Sequence, residues 1–178
     1  MKTNTSIFLL IVSLVILLIG SVTADESEME YRQRIESMKK RQQEVQRRYH
    51  AGLEKIGQWK QTRNQLLLSE AIEDFTYVIA ESDQEIAKAG AYFKRGFCYG
   101  MLGDTDKCIE DFSRGLEIDP ENAYGRKTRG CQYLVKGEVV KAREDFRFVC
   151  SRYEEEEACR WVEEIDKGEC KTVCKIQK

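Results

Sequence analysis

Tyr92–Pro120 reads YFKRGFCYGMLGDTDKCIEDFSRGLEIDP, and its spacing decides the fold. Tyr92, Gly96 and Tyr99 recur at helical spacing on one face; after a break at Gly103 and Asp104, Cys108, Phe112 and Gly115 do the same. Two amphipathic helices joined by a tight turn fit this pattern, with Pro120 ending the second. Glycine weakens a helix interior, so Gly96 and Gly115 mark close approaches of neighbouring backbones. One such hairpin leaves an apolar face uncovered and needs neighbours.

Laying the chain against itself supplies them. Residues 71–75 (AIEDF), 108–112 (CIEDF) and 142–146 (AREDF) are three copies of one phrase, their phenylalanines 37 and then 34 residues apart. Gly96-x-x-Tyr99 returns 34 residues later as Gly130-x-x-Tyr133, and Gly103 returns as Gly137. A fixed period of this size marks stacked helical hairpins. The pattern resembles the tetratricopeptide repeat (TPR), whose 34-residue unit carries W-x2-L-G-x2-Y, A-x3-F and P. The second unit places Tyr92, Gly96, Tyr99, Cys108, Phe112 and Pro120 at the matching positions. The third places Gly130, Tyr133, Ala142 and Phe146, with Glu154 where proline would stand. In the first, Ala71 and Phe75 match, but three extra residues precede the next unit and Trp59 falls where a small residue belongs. Its first helix is therefore longer or out of register. The expected fold is all-α: a short α-solenoid of about three TPR-like helical hairpins over 53–165, with a long N-terminal helix. Ala158, Trp161, Val162 and Ile165 form the apolar stripe of a C-terminal capping helix. The Glu-Asp pair before each repeated Phe is expected on solvent faces.

The resemblance implies a concave face, built by the first helices, that takes another protein or a peptide. By family position its residues are Phe93, Phe97, Gly100 and Met101 in the second unit, and Tyr124, Lys127, Cys131, Leu134 and Val135 in the third. Members of the family that clamp a C-terminal carboxylate use Lys and Asn at such places. Phe93, Phe97 and Cys131 stand here instead, which implies an apolar groove for an extended or helical segment. The competing reading packs Phe93 and Phe97 beneath the preceding helix.

The chain has 178 residues, one Pro, twelve Gly, 34% charged residues and a formal charge of −2. Those values favour an α-rich body and argue against a nucleic-acid binder. Residues 1–24 differ in kind. Lys2 precedes an apolar run, Ile7–Ile19, and Val22 and Ala24 stand three and one residues before a cleavage point at Asp25. This reads as a secretory signal, the run being shorter than the roughly 20 apolar residues of a spanning helix. The mature chain is then expected to be secreted, or lumenal or periplasmic; an uncleaved segment would make it a membrane-anchored assembly or structural factor. Residues 25–63 read as a charged helix with Ile35, Met38, Val45, Tyr49, Leu53, Ile56 and Trp59 as a thin stripe. It fits either a short coiled-coil seam or a helix docked on the repeats. From Glu30 to Arg63, ten Lys or Arg oppose four Glu, which suits a solvated face or contact with something anionic.

Chemistry finds few candidates. His50 is the only histidine, and no Ser-His-Asp set, phosphate-cradling glycine loop, metal-ligand spacing or cofactor motif is present in the sequence. No enzyme activity, cofactor or metal is expected. All seven cysteines lie beyond residue 24, two of them in the tail 166–178. With export, they suggest disulfides. Residues equidistant from a helical turn lie side by side, so Cys150 with Cys159, and Cys98 with Cys108 across Gly103, are the candidate pairs. Cys131 with Cys170 or Cys174 would tie down the tail. The alternative for Cys108 is a small buried residue at the repeat's usual Ala position.

Overall fold

The computed structural model describes residues 3–168, with side chains described at residue 14 and from residue 27 onward. Cys170 and Cys174, and with them the suggested tie to Cys131, lie outside the described residues. Among those described the chain is entirely helical: α1 (Thr3–Thr62), α2 (Gln65–Glu81), α3 (Glu85–Met101), α4 (Thr105–Ile118), α5 (Ala123–Val135), α6 (Val139–Tyr153) and α7 (Glu156–Asp166). The chain forms two compact units, Met1–Gln43 and Glu44–Lys178.

In the first unit, residues 27–43 carry ion pairs one helical turn apart, Arg32 with Glu28 at 2.6 Å and Lys40 with Glu36 at 3.7 Å. These side chains are exposed, and Met38 of the thin stripe is 48% exposed. Among the described residues no helix is long and apolar enough to cross a membrane.

The second unit is a short α-solenoid of three hairpins. Residues 44–62 of α1 pair with α2, α3 with α4 and α5 with α6, and α7 closes the end. The elements begin and stop where local chemistry dictates. Asn64, Asp104 and Asn122 side chains accept the backbone N–H of Leu66, Lys107 and Gly125 and so cap α2, α4 and α5. Gly103 (φ 84°) and Gly137 (φ 77°) turn the second and third hairpins in the left-handed region that glycine enters freely. Pro120 follows α4 by two residues and cannot continue it.

Each hairpin is built around one phenylalanine. Phe75, Phe112 and Phe146 are fully buried, and each lies against a glycine of the partner helix. A Cβ on Gly96 would meet Phe112 at 3.0 Å, and one on Gly130 would meet Phe146 at 2.7 Å. In the first hairpin the equivalent glycine is Gly52, whose Cβ would meet Phe75 at 2.7 Å. Glycine and phenylalanine are 16 residues apart in the later hairpins and 23 in the first. The seven added residues are about two helical turns, so the first hairpin keeps its packing face while lengthening. Its first helix is thus longer, not out of register, and the compact unit begins ahead of Leu53, at Glu44.

The repeated aspartates are not on solvent faces. Asp74, Asp111 and Asp145 are 2%, 3% and 2% exposed. Arg95 grips Asp111 through Nε and Nη2, both at 2.8 Å, while its Nη1 donates to Thr76 Oγ1 at 3.0 Å in the preceding hairpin. One repeat later Arg129 grips Asp145 at 2.8 and 2.7 Å and donates to Ser113 Oγ at 3.1 Å. Asp74 instead receives Arg48 at 2.9 Å and Lys55 at 2.7 Å, both from α1. Burying a carboxylate demands such partners, and the two-pronged Arg geometry supplies them.

Candidate functional site

The end of α1, α3 and α5 stand side by side as the first helices of their hairpins, and a groove of about 360 Å³ opens between them. Helical spacing places Phe97, Gly100 and Met101 of α3 along its floor, with Trp59, Lys60 and Arg63 on one wall and Tyr124, Thr128 and Gln132 on the other. Trp59 meets Phe97 edge to face, ring centroids 6.0 Å apart. Gly100 lets the floor come down onto the Cys108 sulfur, which would lie 3.1 Å from a Cβ there. Arg63 closes α1 with φ 57°, its N–H bonded to the Trp59 carbonyl at 2.7 Å. This left-handed turn brings its guanidinium to 5.1 Å from the Trp59 ring centroid.

Of the residues expected on the contact face, Phe97, Gly100, Met101 and Tyr124 line this groove, and Phe93, Lys127, Cys131, Leu134 and Val135 do not; Cys131 is buried in the core beside Phe146, and Val135 is exposed outside the groove. Phe93 is core. It is 5% exposed, stands 5.8 Å from Phe112 and fills the space that side chains on Gly115 and Gly125 would occupy. Lys127 is committed to α7: it pairs with Glu155 and, at 3.5 Å, with Glu157, and lies 6.0 Å from the Trp161 ring centroid. Leu134 packs on the cluster of Cys131, Ala142, Phe146 and Trp161. Trp59, Lys60 and Arg63 were missed because the two extra turns of α1 displace them from the repeat register. Thr128 and Gln132 carried a signal, being one and two helical turns beyond Tyr124.

Cys150 and Cys159 are joined by a disulfide across the left-handed Glu154 turn, with Cα atoms 4.7 Å apart. Cys98 and Cys108 are not joined. Their equal distance from Gly103 does not bring them together, because Cys98 faces the core shared with α1 and α2 whereas Cys108 faces Ala89, Phe93 and Phe112. Burial pushes both thiols up to about 12, which keeps them protonated and poorly nucleophilic. His50 is exposed. Among the described residues no group of His, Cys, Asp and Glu is placed to hold a metal ion.

The remaining named residues build the repeats. Arg95 lies over the Tyr92 ring and Lys107 over Tyr99, while Arg129 and Lys141 flank Tyr133. The Pro120 carbonyl accepts Arg126 Nε at 3.0 Å.

A family model described as tetratricopeptide repeat matches residues 89–122. An uncharacterized protein of Methanocaldococcus jannaschii is 35% identical over 66 residues, covering 36% of this chain and 74% of that protein. Among solved structures, the first TPR of Spaghetti (RPAP3) bound to the HSP90 peptide SRMEEVD superposes with a TM-score of 0.59 at 16% identity, covering 71% of this chain and 93% of that one. MamA superposes with a TM-score of 0.58 at 19% identity, covering 75% and 74%. At these identities the likeness to the two structures is one of fold.

Proposed function

This chain belongs to the tetratricopeptide repeat family, and from that premise we propose that it is an exported, non-enzymatic interaction module. It binds a peptide or protein segment along the groove between the end of α1, α3 and α5. The observation that carries this reading is the groove itself, lined by three large apolar side chains of the first helices, Phe97, Met101 and Tyr124, which rest on the core with one side and stay partly exposed on the other. Phe93, which packing does consume, lies one turn away on the same helix. A solved TPR structure holding the HSP90 peptide SRMEEVD supports the use of this fold for binding peptides. Export rests on the character of residues 1–24.

A photo-crosslinking amino acid at Met101 tests the site. Adducts with a captured protein should form there and not from the same group at Val140, which is 72% exposed on α6. Equal crosslinking from both positions would refute the groove. N-terminal sequencing tests export: a mature start at Asp25 is expected, and an intact Met1 would favour the anchored form.

A further inference from the structure

Nearly every cation of the solenoid that lies against a neighbouring helix is matched. Arg48, Lys55, Arg95, Arg126, Lys127, Arg129 and Arg143 each meet a carboxylate. The groove is the exception. Lys60 and Arg63 line one wall, and Lys94 of α3 sits one turn before Phe97 with its ammonium 5.8 Å from the centroid of the groove's Tyr124 ring. Among the described residues no carboxylate forms an ion pair with these three cations, and no Asp or Glu lines the groove. Lys60 and Arg63 are exposed and Lys94 half-exposed, so their charge reaches the opening. Arg63 holds its place through a left-handed backbone that glycine would adopt more readily, a conformation that costs stability where it stands.

We propose that the groove recognises an acidic segment carrying a bulky apolar side chain. The apolar residue lies on Phe97 and Met101 beside Trp59, and flanking carboxylates meet Lys60, Arg63 and Lys94. The inference rests on the groove being the binding site and adds the chemistry of its occupant. Charge complementarity raises the encounter rate and rejects basic competitors, and the apolar anchor supplies burial. The carboxylates belong to side chains, so a free C-terminus is not required.

The test is selection of random dodecapeptides displayed on phage against the full chain, followed by calorimetric titration of synthetic winners. Winners should be rich in Asp and Glu around Phe, Leu or Met. They should lose roughly tenfold or more in affinity with Lys60→Glu/Arg63→Glu/Lys94→Glu, weaken as salt rises, and bind equally when C-terminally amidated. Arg63→Gly should weaken them too while its melting point holds or rises, which separates a binding role from a structural one. Neutral or basic winners that depend on Phe97 and Met101, or acidic winners indifferent to the charge reversal, overturn the acidic occupant and leave the groove standing. Winners indifferent to Phe97→Ala/Met101→Ala overturn the groove as well. Self-association abolished by the charge reversal would place a second copy of the chain there and also overturn the proposal.

Discussion

Glycine at a helix crossing is a statement about what the neighbour has placed there. Gly52 and Gly57 lie in the same helix, five residues apart, and differ completely in this respect. A Cβ at Gly52 would stand 2.7 Å from the buried Phe75 ring, whereas one at Gly57 meets nothing within 4 Å. Gly52→Ala should therefore cost about 1–3 kcal/mol through overpacking, and Gly57→Ala should gain up to about 1 kcal/mol through helix propensity. Urea unfolding of the two variants measures both; equal effects would contradict the register assigned to the first hairpin. The same reasoning separates neighbours on α3. Phe93→Ala should cost about 3–5 kcal/mol, as loss of a buried ring does, while Phe97→Ala/Met101→Ala should leave helicity near wild type and weaken partner binding. Sequence periodicity placed Phe93 and Phe97 on one helix; it carried no information about which was clasped between Gly115 and Gly125. That depends on the depth of a pocket made by two other helices.

Between elements, the recurring device is an arginine that grips a buried aspartate in its own hairpin and reaches a hydroxyl in the one before. Its parts stood in the sequence at the repeat period, Arg95 and Arg129 being 34 residues apart, as are Asp111 and Asp145. The pattern was legible and its burial was not, since an Asp beside a Glu reads as solvated until a partner is known. Burial pushes the Asp111 carboxyl up even with Arg95 beside it, so desolvation outweighs the attraction. Breaking the pair and replacing it should therefore differ. Asp111→Ala leaves the partly buried Arg95 without its carboxylate and should cost about 2–4 kcal/mol; Arg95→Met/Asp111→Leu should recover most of that loss. A double-mutant cycle by chemical unfolding decides it. A longer α1 was legible as one of two alternatives, because Trp59 stood at the small-residue position. Only the packing of Gly52 on Phe75 selected two whole turns.

For the molecule as a whole, pH and the closed C-terminal end govern persistence. Hydrogen bonds from Arg47 and Arg48 hold Glu44 down to about 2, and Lys107, Arg152 and Lys141 lower Asp104, Glu121 and Glu138. A carboxyl lowered in the folded state binds its proton more readily in the unfolded one. These groups therefore stabilise above the ordinary carboxylate range and lose that contribution as pH falls through their folded values. Asp111 opposes them with the reverse sign. The melting point should fall from pH 5 towards pH 2, and Glu44→Gln should flatten that fall. The disulfide acts at one end of a structure whose hairpins touch only their neighbours, so its loss should be felt locally first. It joins α6 to α7 across a nine-residue separation, and α7 lays Trp161 against Phe146 with ring centroids 4.9 Å apart. Removing so short a link by Cys150→Ser/Cys159→Ser should cost about 2–3 kcal/mol. Amide exchange should quicken in α6 and α7 while α2 to α4 keep most of their protection, and the wild-type protein in reductant should behave like the variant. Equal acceleration in every helix would mean that the solenoid unfolds as one unit, and the disulfide would then brace the whole body from its far end.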